Sequence, residues 1–408
     1  MLNEIEFSFI SYGDNAAEEI RAVLAPFEAA SQMRVNLRLM PDWEQAWTEV
    51  VKVAQYSQGP DVSLIGTTWV GNLVAMNSLR SFVQSDIDAC GGAQAFIPAS
   101  WHSCLLSGSS TVWAMPYMAD IRLIYYRRDL LAQAGVDEAT AFTTPEQMVQ
   151  TLECLQRSLA AEPRLAPWAM PTRRALGALH NVSCWLWGAG GDFISADGRQ
   201  VLFSQPAALA GLRAYFDLRR FLTPETSHLN EGEVSRMFRE GRAAAILGGL
   251  WVWLGGLARL QSAAPEVLAN IGFALPPGVP FVGGGNLVIW RHAHNFEQAL
   301  SLIRYLTSVT VQTKMARQAG FLPVVREAIM SAELAEEPLI KTLLQAIETG
   351  RAFTSLPAWG LVEDKLAMAL AEMWNTLLQD STLSFDEAAA KYLEPLARRL
   401  NYTLSSRQ

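Results

Sequence analysis

Apolar and polar side chains alternate along Ile5-Glu6-Phe7-Ser8-Phe9-Ile10, the period of two that marks a strand. The turn residues Gly13-Asp14-Asn15 follow, and then Ile20, Val23, Leu24 and Phe27 fall on one helical face. Asn15 is placed to cap that helix, with Glu18 three residues on in the capping-box position. Val35 to Leu39 predicts a second strand, Glu44 to Gln55 a second helix and Val62-Ser63-Leu64-Ile65 a third strand, with Thr67-Thr68 opening another helix. This βαβαβ order predicts an α/β fold on a mostly parallel sheet covered by helices on both faces. Ligands of such sheets sit beyond the carboxyl ends of the strands, where Asp14, Asn15, Thr67, Thr68 and Trp69 fall.

Helical spacing dominates the middle of the chain. Thr144-Pro145-Glu146-Gln147 is a helix start with Met148, Leu152, Leu155 and Leu159 as its core stripe, and Ser204-Gln205-Pro206 starts another helix bearing Leu209, Leu212 and Phe216. Ala243 to Leu247 reads as a strand running into Gly248-Gly249. A second α/β signal returns with the loop Gly283-Gly284-Gly285-Asn286, the strand Leu287-Val288-Ile289-Trp290 and a helix capped by Asn295. From about Leu339 the pattern is helical, with Val362, Leu366, Leu370, Met373 and Leu377 in phase.

The chain has 408 residues, half of them hydrophobic and 18% charged, enough for two domains with sizeable cores. Its net charge of −8 argues against nucleic-acid or anionic-membrane partners, since no basic excess is present to displace counterions. The run from Ala243 to Ala258 is too short, and too interrupted by glycine, to span a bilayer. Cys90, Cys104, Cys154 and Cys184 lack metal spacing; a Cys90–Cys104 bridge stays open for an oxidising compartment. His292 and His294 lack a third ligand nearby, so no metal is expected, and with no dinucleotide fingerprint or Walker A motif no cofactor is expected.

Thirteen tryptophans carry the chemistry. Several stand beside glycines and turns: Trp69 after Gly66-Thr67-Thr68, Trp187 before Gly188, Trp251 and Trp253 between Gly-Gly pairs, Trp359 after Leu356-Pro357-Ala358, and Trp43 at a helix start. Rings at the ends of elements suit a cleft that stacks the C–H faces of a sugar. Asp120 and Arg122, two apart on an extended segment, point to one side and supply an acceptor and a forked donor for hydroxyls; a local ion pair between them is the competing reading. Gly284, Gly285 and Asn286 offer backbone N–H groups, with no side chain blocking approach at the glycines. Arg122 and Arg173-Arg174 leave an acidic ligand open.

Five segments in order resemble the family 1 extracellular solute-binding proteins of ABC importers, the group that includes maltose- and trehalose-binding proteins. They are Gly59-Pro60-Asp61-Val62; Ala114-Met115-Pro116-Tyr117 through Leu131; Phe238-Arg239-Glu240-Gly241-Arg242-Ala243-Ala244; Gly283 to Ile289; and Gly320-Phe321-Leu322-Pro323-Val324. The resemblance implies a two-lobed type II binding fold with the ligand in the cleft, a chain crossing between lobes near Tyr117, Leu275 and Leu322, and closure by a hinge. The expected lobes are 1–118 plus 277–322 and 119–276 plus 323–408. It also implies a binding protein rather than an enzyme. Its partners would be a carbohydrate (a disaccharide, short oligosaccharide or glycoside) and the permease subunits of an ABC importer in the membrane. A monomer is expected, periplasmic or extracellular, with a membrane tether left open, although no signal segment or lipoprotein cysteine stands near the start. Met118 departs from the family's aromatic at that position. A sensor or chemotaxis component on the same fold, and a glycoside hydrolase using Asp14, Asp120 or Glu44, are the alternatives.

Overall fold

The computed structural model describes residues 3–11, 15–173, 177–250, 252, 263–319, 322–331 and 339–405. The first three strands, β1 (Asn3–Ile10), β2 (Met33–Met40) and β3 (Val62–Gly66), are parallel and joined by the helices Ala16–Ser31 and Trp43–Tyr56, as the alternation predicts. Every residue of β3 is buried. Asp61, just before it, accepts backbone N–H bonds from Glu6 and His294, which explains an acidic residue fixed beside a core strand. The same carboxylate lies 3.0 Å from His294 Nδ1. Asn15 precedes the first helix but makes no side-chain capping bond, whereas Thr144 and Asn295 cap their helices as expected.

The remaining strands pair differently. In β4 (Met115–Ile121), β5 (Leu123–Arg127), β6 (Ala245–Gly248), β7 (Ile271–Ala274), β8 (Val282–Ile289) and β9 (Leu322–Pro323) each pairing is antiparallel. The first sheet has the order β2-β1-β3-β8-β4-β9 and the second β6-β5-β7. The expectation of mostly parallel sheets is therefore corrected to a mixed sheet and a small antiparallel one. The cause is the direction of entry: β8 returns from the second sheet and slots between β3 and β4 against their direction. The expected Gly283–Asn286 loop is part of that strand.

Arg122 alone separates β4 from β5, so the first crossing lies there, not near Tyr117. The segment 275–281 links β7 of the second sheet to β8 of the first. The third is later than Leu322. Val324 accepts from Ile97 N–H, Arg326 donates to the Phe96 carbonyl, and the helix Ile340–Thr349 packs on the helix Pro98–His102, so 324–349 stays with the first lobe. The chain crosses at 350–352, where Arg351 exchanges backbone bonds with Pro280 and Val282 of the second crossing. Short apolar stretches after Pro323 give no local sign of which lobe they cover. The helices Trp359–Gln379 and Phe385–Ser405 then pair with each other and pack with Ala178–Gly188 and Pro206–Phe216 in the second lobe.

Candidate functional site

β3 ends at Gly66, where β4 and β8 run on beside it. Gly66 of β3 pairs with Gly285 of β8, which pairs with Met118 of β4. Beyond β3 the chain tightens into a single 3-10 turn, Thr67–Trp69, and Gly66 makes this possible because a Cβ there would stand 3.0 Å from the Trp69 ring. Trp69 is buried, and two further indoles lean on it: Trp43 with ring centres 5.9 Å away and Trp47 at 5.3 Å. Both are partly exposed, on the same face of the helix Trp43–Tyr56. Trp47 is not among the residues that the sequence pattern singles out; its spacing of four from Trp43 is the signal that could have found it.

A chain of polar groups starts at the end of β4. Arg122, 3% exposed, donates to Asp120 Oδ2 and Glu231 Oε1, each at 3.0 Å, and to His180 Nδ1 at 3.2 Å. Asp120 also accepts from the Leu250 backbone N–H at 3.4 Å. Glu231 opens the helix Glu231–Arg239, and Gly177 makes room for the pair, since a Cβ there would lie 2.6 Å from Glu231 Oε1. His180 Nε2 lies 3.9 Å from Glu363 Oε1. Burial, then the adjacent Arg122 cation, holds the imidazole well below its ordinary value and therefore neutral. Burial pushes Glu363 up to about 8, against the opposing pull of the neighbouring Thr68 hydroxyl and Trp359 indole. Thr68 belongs to the β3 rim, so Glu363 joins the two lobes. Asn72 and the Gly360 backbone N–H make a parallel link at 3.3 Å.

Other expected residues take different places. Trp359 is 1% exposed, its ring stacked on Phe353 at 4.6 Å with Phe193 edge-on at 6.0 Å. Trp187 sits among Phe193, Phe281 and Phe353. The ring faces expected to stack on a ligand are occupied by neighbouring aromatics. Both indoles build an aromatic core where the crossing segments, through Phe281 and Phe353, enter the second lobe. Asn286 is fully buried and donates to Ser103 Oγ at 2.9 Å, tying β8 to the first lobe. Gly284 and Gly285 lie in the ladder between β3 and β4 or against β4, not in an open turn. Arg122 is sealed in the ion pair that was the competing reading. Asn15 is exposed just before the helix Ala16–Ser31, while Asp14, Trp251 and Trp253 lie outside the described residues. Cys90, Cys104, Cys154 and Cys184 are free thiols, so the Cys90–Cys104 bridge is not formed. Among the described residues no cluster of three metal-ligating side chains occurs, and no helix is long and apolar enough to cross a membrane.

Residues 22–342, most of the chain, match the family of bacterial extracellular solute-binding proteins. The protein belongs to that family. Solved solute-binding proteins share its whole fold. One from Thermotoga lettingae, bound to α-D-tagatose, superposes with a TM-score of 0.82 at 19% identity, covering 98% of this chain and 100% of its own. The maltose-bound MalE3 of T. maritima gives 0.81 at 23% identity, covering 98% and 99%. A relative described as a probable ABC transporter-binding protein of Deinococcus radiodurans is 23% identical over 275 residues, which is 65% of this chain and 62% of that one.

Proposed function

We propose that this solute-binding protein captures a carbohydrate between its lobes, outside the cytoplasm, and delivers it to the permease of an ABC importer without making or breaking bonds. The observation that carries this reading is the presence of two kinds of partly exposed surface, aromatic in the first lobe and acidic where the chain crosses to the second. The Trp43–Trp47–Trp69 cluster offers aromatic faces to sugar C–H groups, and Asp120 and Glu231, 15% and 21% exposed, offer acceptors to hydroxyls. Two fold neighbours hold tagatose and maltose, which is the same ligand class.

The test is calorimetry against a panel of mono- and disaccharides, with Trp43→Ala and Trp47→Ala beside the parent. Both rings are partly exposed, so truncation costs little of the core. A sugar bound by the parent should bind at least about tenfold more weakly to one or both variants, the scale of removing one stacking ring from a desolvated cleft. A panel that gives no heat with the parent removes the carbohydrate reading.

A further inference from the structure

We propose that the cleft discriminates by charge, accepting a neutral carbohydrate and rejecting its anionic counterpart, with Asp120 and Glu231 as the specificity-determining residues. The inference rests on the carbohydrate reading and goes beyond it. Arg122 is the residue that would serve an acidic ligand, and its guanidinium is committed elsewhere. Asp120 and Glu231 hold it at 3.0 Å each, His180 Nδ1 accepts a third bond, and the side chain is 3% exposed. His180, the other basic group beside the carboxylates, lies 3.9 Å from Glu363 and is held neutral by burial and the Arg122 cation.

The geometry fixes which end of the pair a ligand meets. Gly177 lies over Arg122 and Glu231, with room for no more than a hydrogen: a Cβ would also come within 3.2 Å of Arg122 Nη2. Phe281 stacks on His180 with ring centres 4.4 Å apart and covers that face of the imidazole. The exposed edges of the cluster are the two carboxylates. Within this cluster two carboxylates share one buried guanidinium, a formal charge of −1. Hydroxyl groups donate to such oxygens, whereas a phosphate or carboxylate meets like charge in a partly desolvated setting. Direct use of Arg122 by an anion would strip a buried guanidinium from two partners, leaving charges uncompensated.

The experiment uses matched pairs that differ by one charged group: trehalose with trehalose 6-phosphate, and methyl β-glucoside with methyl β-glucuronide, measured by calorimetry on the parent chain. The neutral member of at least one pair should bind, and its anionic partner should bind at least about tenfold more weakly, the loss expected for one uncompensated like charge. Raising the salt from about 10 mM to about 500 mM should narrow the ratio by screening. Asp120→Asn and Glu231→Gln should narrow it too, through loss of affinity for the neutral sugar and gain for the anionic one. The salt series needs no variant and stands if either fails to fold. An anionic member that binds as well as or better than its neutral partner overturns the charge selection and leaves carbohydrate capture intact. Silence from both members of both pairs, and from the wider saccharide panel, overturns both.

Discussion

Asn286 turns its side chain inward, and the physical cost of removing it lies in the fold. It is fully buried and donates to Ser103 Oγ, which in turn donates to the Ser100 carbonyl. Truncation would leave a buried hydroxyl without its donor and a small void. Asn286→Ala should therefore lower stability by about 1–3 kcal/mol, read as a drop in the urea midpoint, while ligand affinity of the folded protein stays within about twofold. A fall in affinity at unchanged stability would instead put the amide against the ligand. At this scale the sequence told residue type well and burial badly. Asp120 and Arg122 were legible as a pair because spacing two apart on an extended segment sets their direction. Trp359 and Asn286 were not, because a tryptophan or asparagine beside a turn has the same local pattern whether it lines a cleft or a core. What decides between the two is Phe353 for the indole and Ser103 for the amide, neither of which the local pattern around a turn reveals.

The glycines of β8 show how an element can hide. Locally Gly283-Gly284-Gly285 reads as a loop, since glycine weakens a strand of its own accord. In the structure the run is a strand wedged between β3 and β4, and the missing side chains are what permit it. Gly284 has φ +124°, and a Cβ there would stand 2.0 Å from the Met118 carbonyl oxygen. Gly108 provides the contrast: φ is +74°, but nothing lies within 4 Å of its would-be Cβ. Gly108→Ala should cost about 1 kcal/mol, the left-handed penalty alone. Gly284→Ala adds a clash with backbone that a side-chain rotation cannot relieve, and should cost upwards of about 3 kcal/mol or prevent folding. Equal denaturation midpoints for the two variants would mean that β8 shifts freely. The βαβαβ half was readable because its pairings follow alternation between neighbours in sequence. The β3–β8 and β4–β9 pairings join segments some two hundred residues apart, and no periodicity reports them.

On the scale of the whole molecule, the lobes meet through a carboxyl group that is neutral near pH 7. Glu363 is 6% exposed and faces Thr68 from the first lobe, Trp359 and Asp364 from its own helix, and His180, with Arg122 behind it, from the second lobe. Its value of about 8 against an ordinary 4.5 means that folding takes up a proton throughout that window. Stability from this group is complete below about pH 4.5 and falls as the pH rises through about 8, by at most ~1.4 kcal/mol per pH unit. His180 works in the opposite sense: its depressed value keeps it neutral when folded, so stability is lost as the pH falls below about 6.5, where the unfolded imidazole takes a proton. The two effects separate above pH 6.5, where only Glu363 still acts. Between pH 6.5 and 8 the melting temperature of the parent should decline, and Glu363→Gln, which keeps the shape and stays uncharged, should flatten that decline and melt higher at pH 8. Parallel profiles would show that Glu363 ionises at its ordinary value and that the contact between the lobes carries a charge.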